Sequence, residues 1–129
     1  MKKILFLLAF SIFFGCKVQD KKSMLPSENE FVWEGANVYF LLTDRFNNGD
    51  KTNDLNFNRT KTPGKLRGFE GGDLKGITQK IKEGYFTKLG INAIWMTPIV
   101  EQIHDATDEG SGVSYGFHGY WAKDWTAID

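Results

Sequence analysis

Two segments of this 129-residue chain carry side chains whose types and spacing could do chemistry. In the first, Asn47, Asn48, Asp50, Asn53 and Asp54 place amide and carboxylate oxygens within one short stretch around Gly49. A hard divalent cation such as calcium takes about six to eight such oxygens, with backbone carbonyls completing the shell. The spacing is not that of an EF-hand, whose glycine and closing glutamate fall elsewhere. The same groups serve equally well in an Asx-turn-rich surface loop that only satisfies its own backbone, and local sequence favours that reading. The second segment is Phe117-His118-Gly119-Tyr120-Trp121. Aromatic faces beside an imidazole suit the stacking and hydroxyl bonding that recognise a sugar ring, and they also suit a small hydrophobic cluster under a loop. The acids Asp105, Asp108 and Glu109 read as a solvated loop rather than a glycosidase carboxylate pair, because nothing nearby would separate their pKa values. His104 reads as a surface residue.

The elements that must position these groups follow from punctuation. Val38 to Leu42 is an unbroken β-branched, aromatic and aliphatic run, suited to a strand buried on both faces. Asn47 to Gly72 is a long polar loop, of a length that is usually functional or disordered. Ile77, Ile81, Tyr85 and Leu89 recur every four residues and predict one amphipathic helix, with Asp73 near its start and Gly90 at its C′ position. Gly84 should weaken that helix by about 1 kcal/mol without breaking it. Ile91 to Met96 is a second buried strand, closed by Thr97-Pro98. Strand, loop, helix and strand make one βαβ unit with parallel strands. A second polar, glycine-rich loop and the aromatic run Tyr115 to Trp125 follow.

Composition narrows the function classes. Sixteen basic and sixteen acidic side chains give a net charge of zero, which argues against a nucleic-acid partner. A hydrophobic content of 41% is too high for intrinsic disorder, and one cysteine excludes a disulfide framework or a four-cysteine zinc site. Residues 1–15 pair a Lys2-Lys3 start with an apolar run from Ile4 to Phe14. That run is shorter than the roughly 20 residues needed to cross a bilayer, so it reads as a signal peptide. It ends at Gly15-Cys16, where lipoprotein signals place the cysteine that is acylated, although Phe13 and Phe14 depart from the usual residues there. An ordinary cleaved signal with a free thiol is the alternative. Acylation of Cys16 would tether the protein to a bacterial cell envelope, on the periplasmic or outer face, with membrane contact only through that anchor. Residues 16–30 read as a flexible tether, and the folded part as residues 31–129.

Four blocks in order carry a resemblance. They are Val38-Tyr39-Phe40-Leu41-Leu42-Thr43-Asp44-Arg45-Phe46; Gly71-Gly72-Asp73-Leu74-Lys75-Gly76-Ile77; Leu89-Gly90-Ile91-Asn92-Ala93-Ile94-Trp95-Met96-Thr97-Pro98-Ile99; and His118-Gly119-Tyr120-Trp121 with Asp124. Together they resemble the amino-terminal part of the α-amylase family of glycoside hydrolases (family 13). Val100 to His104 and Lys123 to Asp129 are most similar to its periplasmic branch, and the cyclodextrin glucanotransferases are similar over the same blocks. The resemblance implies an α/β fold, here the first two strands and first helix of a (β/α)₈ barrel, and retaining cleavage of α-1,4-glucosidic bonds in starch or maltodextrin. It implies that all three catalytic acids lie on later strands, so that this stretch carries none. A barrel of that type has about 250 residues, so the chain reads as the leading piece of a larger enzyme.

The resemblance also implies roles for particular residues. Asn48, Asp50, Asn53, Asp54, the carbonyl of Gly71 and the side chain of Asp73 match a structural calcium site, with Asn48 where aspartate is common. Tyr120 matches a tyrosine that stacks on the sugar at the cleavage subsite, His118 a histidine that hydrogen-bonds it, and Trp121 a neighbouring contact. A related transglycosylase, or a non-catalytic tethered module that binds glucan or is stabilised by calcium, are the other readings.

Overall fold

The computed structural model describes residues 31–129. The signal, Cys16 and the tether lie outside the described residues. Contacts divide the chain after Phe31, and the unit described is Val32–Asp129.

Strand β1 (Val38–Leu41) pairs in parallel with β2 (Ala93–Met96), Val38 opposite Ala93 and Leu41 opposite Met96. Parallel neighbours need a crossover connection, and this one contains α1 (Thr43–Phe46), α2 (Leu74–Lys82) and α3 (Tyr85–Lys88). The predicted βαβ unit is present. Leu41, Ile77 and Phe86 are buried between strand and helices, with Tyr39, Phe46, Leu74, Ile91 and Ile94 packed on them. Burying each such side chain is worth about 1.5–3 kcal/mol. Tyr39 and Phe86 meet edge to face at 5.3 Å, and Phe46 stacks on Phe86 at 5.5 Å.

The strands differ from the expectation in two ways. Leu42 caps α1 instead of extending β1, and β2 starts at Ala93 because Asn92 is occupied as a brace: its Oδ1 accepts from the Asn37 N–H at 2.8 Å. Nor is β1 buried on both faces. Tyr39 and Leu41 face the helices, whereas Val38 and Phe40 are about half exposed, and Phe40 meets exposed Trp95 edge to face at 5.7 Å. Alternation along a strand sends every second side chain away from the helices, which cover one face only.

The predicted single helix is broken. Gly84 sits at φ +69°, ψ 24°, so α2 and α3 have separate axes. The four-residue stripe fails there: Ile77 is buried, but Ile81 and Leu89 are about half exposed, and Phe86, not Tyr85, enters the core. A left-handed residue turns the following helix about its axis and resets which positions face inward.

The stretch beyond Pro98 is more ordered than a loop. β3 (Val100–Gln102) pairs antiparallel with β6 (Ala122–Ile128), with bulges on either side of Glu101. β4 (Thr107–Asp108) and β5 (Val113–Ser114) form a small hairpin between them. These strands were not expected, because runs of two or three residues carry no readable period. The end of the predicted aromatic run is the start of β6. Among the described residues no helix is long and apolar enough to cross a membrane.

The break at Gly84 reverses the sign of a common stabilising substitution. In a continuous helix Gly84→Ala would gain about 1 kcal/mol. At a left-handed position it should cost about 1–2 kcal/mol and lower the thermal unfolding midpoint, which differential scanning calorimetry of the wild-type and variant proteins checks.

Candidate functional site

The carboxyl ends of β1 and β2 are locked together before anything else is built on them. Thr97 is buried directly after β2; its N–H donates to the Leu41 carbonyl at 3.1 Å, and its Oγ1 accepts from the Thr43 N–H at 3.1 Å. Next along the chain Asp44 is also buried, accepting from the N–H groups of Glu70 and Gly71 and pairing with Arg45 Nε at 2.9 Å. Burial pushes its carboxyl above the usual range, against those N–H donors and Arg45, which pull it down. In parallel α/β sheets this carboxyl end is where ligand sites form.

The aromatic turn docks on the same end. Gly119 has φ +85°, and a Cβ there would lie 2.3 Å from the Pro98 carbonyl oxygen, so the residue between His118 and Tyr120 must be glycine for the turn to seat after β2. The Gly119 N–H donates to the Gly116 carbonyl at 2.9 Å, and the Tyr120 N–H to His118 Nδ1 at 3.0 Å. Because Nδ1 accepts, neutral His118 carries its proton on Nε2, leaving an N–H available to bond a hydroxyl. Burial holds the His118 pKa below its ordinary value, which favours that neutral form. Tyr120 stacks on the imidazole at 5.8 Å yet is 61% exposed, and Trp121 closes the other side edge-on at 4.8 Å. Arg45 lies over the Phe117 ring at 4.0 Å, tying the turn back to α1.

The oxygen-rich loop is organised by Asp73. As N-cap of α2 it accepts from the Gly76 N–H, and it also takes the N–H groups of Gly49 at 3.2 Å and Asp50 at 2.8 Å. One carboxylate thus caps the helix and fastens the loop to it. Asp50 accepts from the Thr52 hydroxyl and N–H and pairs with Lys75 at 3.1 Å, which lowers its pKa to about 2. Asn48 Nδ2 donates to Asp54 Oδ1 at 2.7 Å, while Asn48 Oδ1 is buried with no hydrogen-bond partner. A Cβ on Gly71 would come within 2.6 Å of Asp54 Oδ1, so the glycine keeps its backbone close against these side chains.

As a cation site this set fits in chemistry. It offers only oxygen donors, and the orphaned Asn48 Oδ1 is a buried acceptor without a donor. Among the described residues no three His, Cys, Asp or Glu side chains converge as a metal cluster. Any cation would therefore rest on amide and carbonyl oxygens as much as on carboxylates.

The structure brings together most, not all, of the predicted residues. Asp50, Asn53, Asp54, Gly71 and Asp73 border a cavity of about 230 Å³ whose other wall includes Pro98, Phe117 and Gly119. His118, Tyr120 and Trp121 do not line that cavity. Asp105 is exposed, Asp108 lies in β4, and Glu109 is occupied by Arg67 at 3.0 Å and the Ser114 hydroxyl at 2.6 Å. His104 lies part-way in the surface, where it stacks on Phe57 at 4.4 Å and bonds Glu101 at 2.7 Å. Asp44, Thr97, Arg59 and Gln102 were missed as site-building residues. Only Asp44-Arg45, a charge pair directly after an apolar strand, left a sequence signal.

A parallel strand pair joined through helices, with an aromatic–histidine turn at its carboxyl ends, is an α/β arrangement, and comparison with known proteins says of which family. The model of the alpha-amylase catalytic domain matches residues 40–129, and the chain belongs to that family. It is 44% identical to the periplasmic alpha-amylase of Escherichia coli over 77% of this chain and 15% of that protein. It is 35% identical to the cyclomaltodextrin glucanotransferase of Klebsiella oxytoca over 95% of this chain and 18% of that protein. Among solved structures, the three-domain cyclomaltodextrin glucanotransferase CldA superposes with a TM-score of 0.58 at 34% identity, covering 71% of this chain and 19% of that one. The chain thus spans less than a fifth of the length of these relatives.

A depressed His118 pKa fixes the sign of a pH dependence. The unfolded chain binds the proton more readily, so the folded turn is unpenalised above the ordinary value of 6.5 and loses stability as pH falls through the lower native value. Titration of the His118 ring followed by NMR should give a midpoint below 6.5. A midpoint at or above it would show that the imidazole is solvated and the turn open.

Proposed function

We propose that this chain is the amino-terminal part of a retaining glycoside hydrolase of the α-amylase type, acting on α-1,4-linked glucans such as starch or maltodextrin. The observation that carries the reading is the His118–Trp121 turn. It presents a neutral imidazole N–H and an open tyrosine face at the carboxyl ends of parallel strands, within a family whose relatives are named as amylases and glucanotransferases. In this reading β1 and β2 are the first two strands of a (β/α)₈ barrel, and the exposed face bearing Val38, Phe40 and Trp95 turns toward its interior. Tyr120 stacks on a glucose ring, His118 Nε2 donates to one of its hydroxyls, and Trp121 buttresses the imidazole. Three carboxyl groups from outside these 129 residues supply nucleophile, acid/base and transition-state support, so the chain by itself cleaves no glycosidic bond. The periplasmic relative and the apolar amino terminus together support export to the cell envelope, with Cys16 as the site of lipid attachment.

The reading includes a structural calcium ion held by Asn48, Asp50, Asn53, Asp54, the Gly71 carbonyl and Asp73. The ion would supply charge balance and cross-linking at the start of α2, with no part in bond cleavage; the orphaned Asn48 Oδ1 supports it.

Both parts are tested in the full-length protein. Tyr120→Ala should cut kcat on maltoheptaose at least about tenfold, a loss of roughly 1.4 kcal/mol of transition-state stabilisation, with the thermal midpoint nearly unchanged. Comparable losses of activity and stability would make Tyr120 a packing residue. Asp54→Ala should lower the thermal midpoint in millimolar calcium more than in chelator, and an equal drop in both sinks the calcium assignment.

A further inference from the structure

Gln102 is among the most buried side chains of the unit, 2% exposed, and it is polar. A buried amide is costly unless every donor and acceptor is matched. Here the matching partners belong to the two segments that meet at the aromatic turn. Oε1 accepts from the Trp121 N–H at 2.7 Å, and Nε2 donates to the Val100 carbonyl at 2.7 Å. Those two partners, one a donor and one an acceptor, fix the amide's orientation. The turn enters over the same side chain: a Cβ on Gly116 would meet Gln102 Cβ at 3.1 Å and Oε1 at 3.2 Å. Residues 116–121 therefore begin and end on Gln102.

The backbone of Gln102 is held just as firmly. Its N–H donates to Asp129 Oδ2 at 2.7 Å, and its carbonyl accepts from Arg59 Nη2 at 3.4 Å. Arg59 in turn grips both carboxylate oxygens of Asp129, with its guanidinium 4.9 Å from the Phe57 ring and 4.3 Å from the Phe69 ring. Gln102 is thus anchored through its backbone, and the end of the turn is fixed at two points: the Trp121 N–H on the Gln102 amide, and the Trp121 carbonyl, which accepts from the Ile103 N–H at 2.9 Å.

We propose that Gln102 is a positioning residue for the His118–Trp121 turn, setting the angle at which the imidazole and the Tyr120 ring meet substrate. It touches no substrate itself. Its effect on turnover rests on the glycosidase reading above; its effect on the turn does not. In the full-length protein, Gln102→Leu keeps the side chain's approximate volume and removes both hydrogen bonds. Hydrogen exchange of the peptide spanning residues 116–121 should accelerate at least tenfold, with peptides over residues 38–41 and 93–96 unchanged. On maltoheptaose, kcat should fall at least tenfold while KM moves less than threefold. Gln102→Glu retains an oxygen for the Trp121 N–H, and regains the donor to Val100 when protonated. It should recover part of that kcat, and its kcat relative to wild type at the same pH, which cancels the protonation of His118, should rise as pH falls. Unchanged exchange over residues 116–121 in Gln102→Leu and Gln102→Glu overturns the proposal, as does wild-type kcat accompanied only by a lower thermal midpoint. A wild-type protein without activity on maltoheptaose overturns the glycosidase reading, and the exchange result then decides the role of Gln102.

Discussion

The guanidinium of Arg59, with its side chain 4% exposed, is bonded to Asp129 and Asn56 and lies against the rings of Phe57 and Phe69. A charge so far from water costs several kcal/mol unless paired, and breaking such a pair typically costs about 3–5 kcal/mol. Arg59 belongs to the long loop after α1, and Asp129 follows β6, so the pair fastens the loop to the antiparallel ribbon. That ribbon carries Gln102, and Gln102 carries the aromatic turn. Removing the charge pair would loosen each of these in sequence, which is why the site depends on an interaction remote from any of its own rings.

Elsewhere carboxylates do the work usually done by apolar packing. Among the described residues four hydrophobic side chains are buried, Leu41, Ile77, Phe86 and Tyr115, and three of them make up the core under the strands. The long segment between α1 and α2 has no comparable core. It is held instead by Asp44 and Asp73 accepting backbone N–H groups, by Arg45 donating to the carbonyls of Leu66 and Gly68, and by the Tyr115 hydroxyl accepting from the Lys61 N–H. Hydrogen bonds to charged groups are worth about 1.5–3 kcal/mol each, against about 1 for neutral ones. A loop rich in Asn, Asp and Gly can therefore be ordered without being hydrophobic. The same donors that order it also keep the carboxylates from repelling one another.

Local sequence determined the elements whose signal is one of period or punctuation: a strand from Val38, one residue too long at Leu42, a helix starting near Asp73, a strand closed by Thr97-Pro98, and the parallel arrangement of the two strands. The ordered motifs also determined the family, because four blocks in fixed order are far more specific than any one of them. Tertiary structure decided what those signals leave open. Gly84 could sit in a helix or end one, and packing of Phe86 rather than Tyr85 into the core goes with the left-handed break. Asp50, Asn53 and Asp54 could ligate an ion or only close turns; the placement of Asn48 and Asp54 beside the backbone of Gly71, and an Asn48 oxygen left without a partner, follow from contacts made across the loop. By sequence Gln102 is one polar residue in a polar, glycine-rich loop. Its burial, and with it the seat of the His118–Trp121 turn, depends on partners 19 to 43 residues away. Periodicity reports which face of an element is apolar, whereas a buried polar group is defined by the distant atoms that satisfy it, and only the folded chain brings those together.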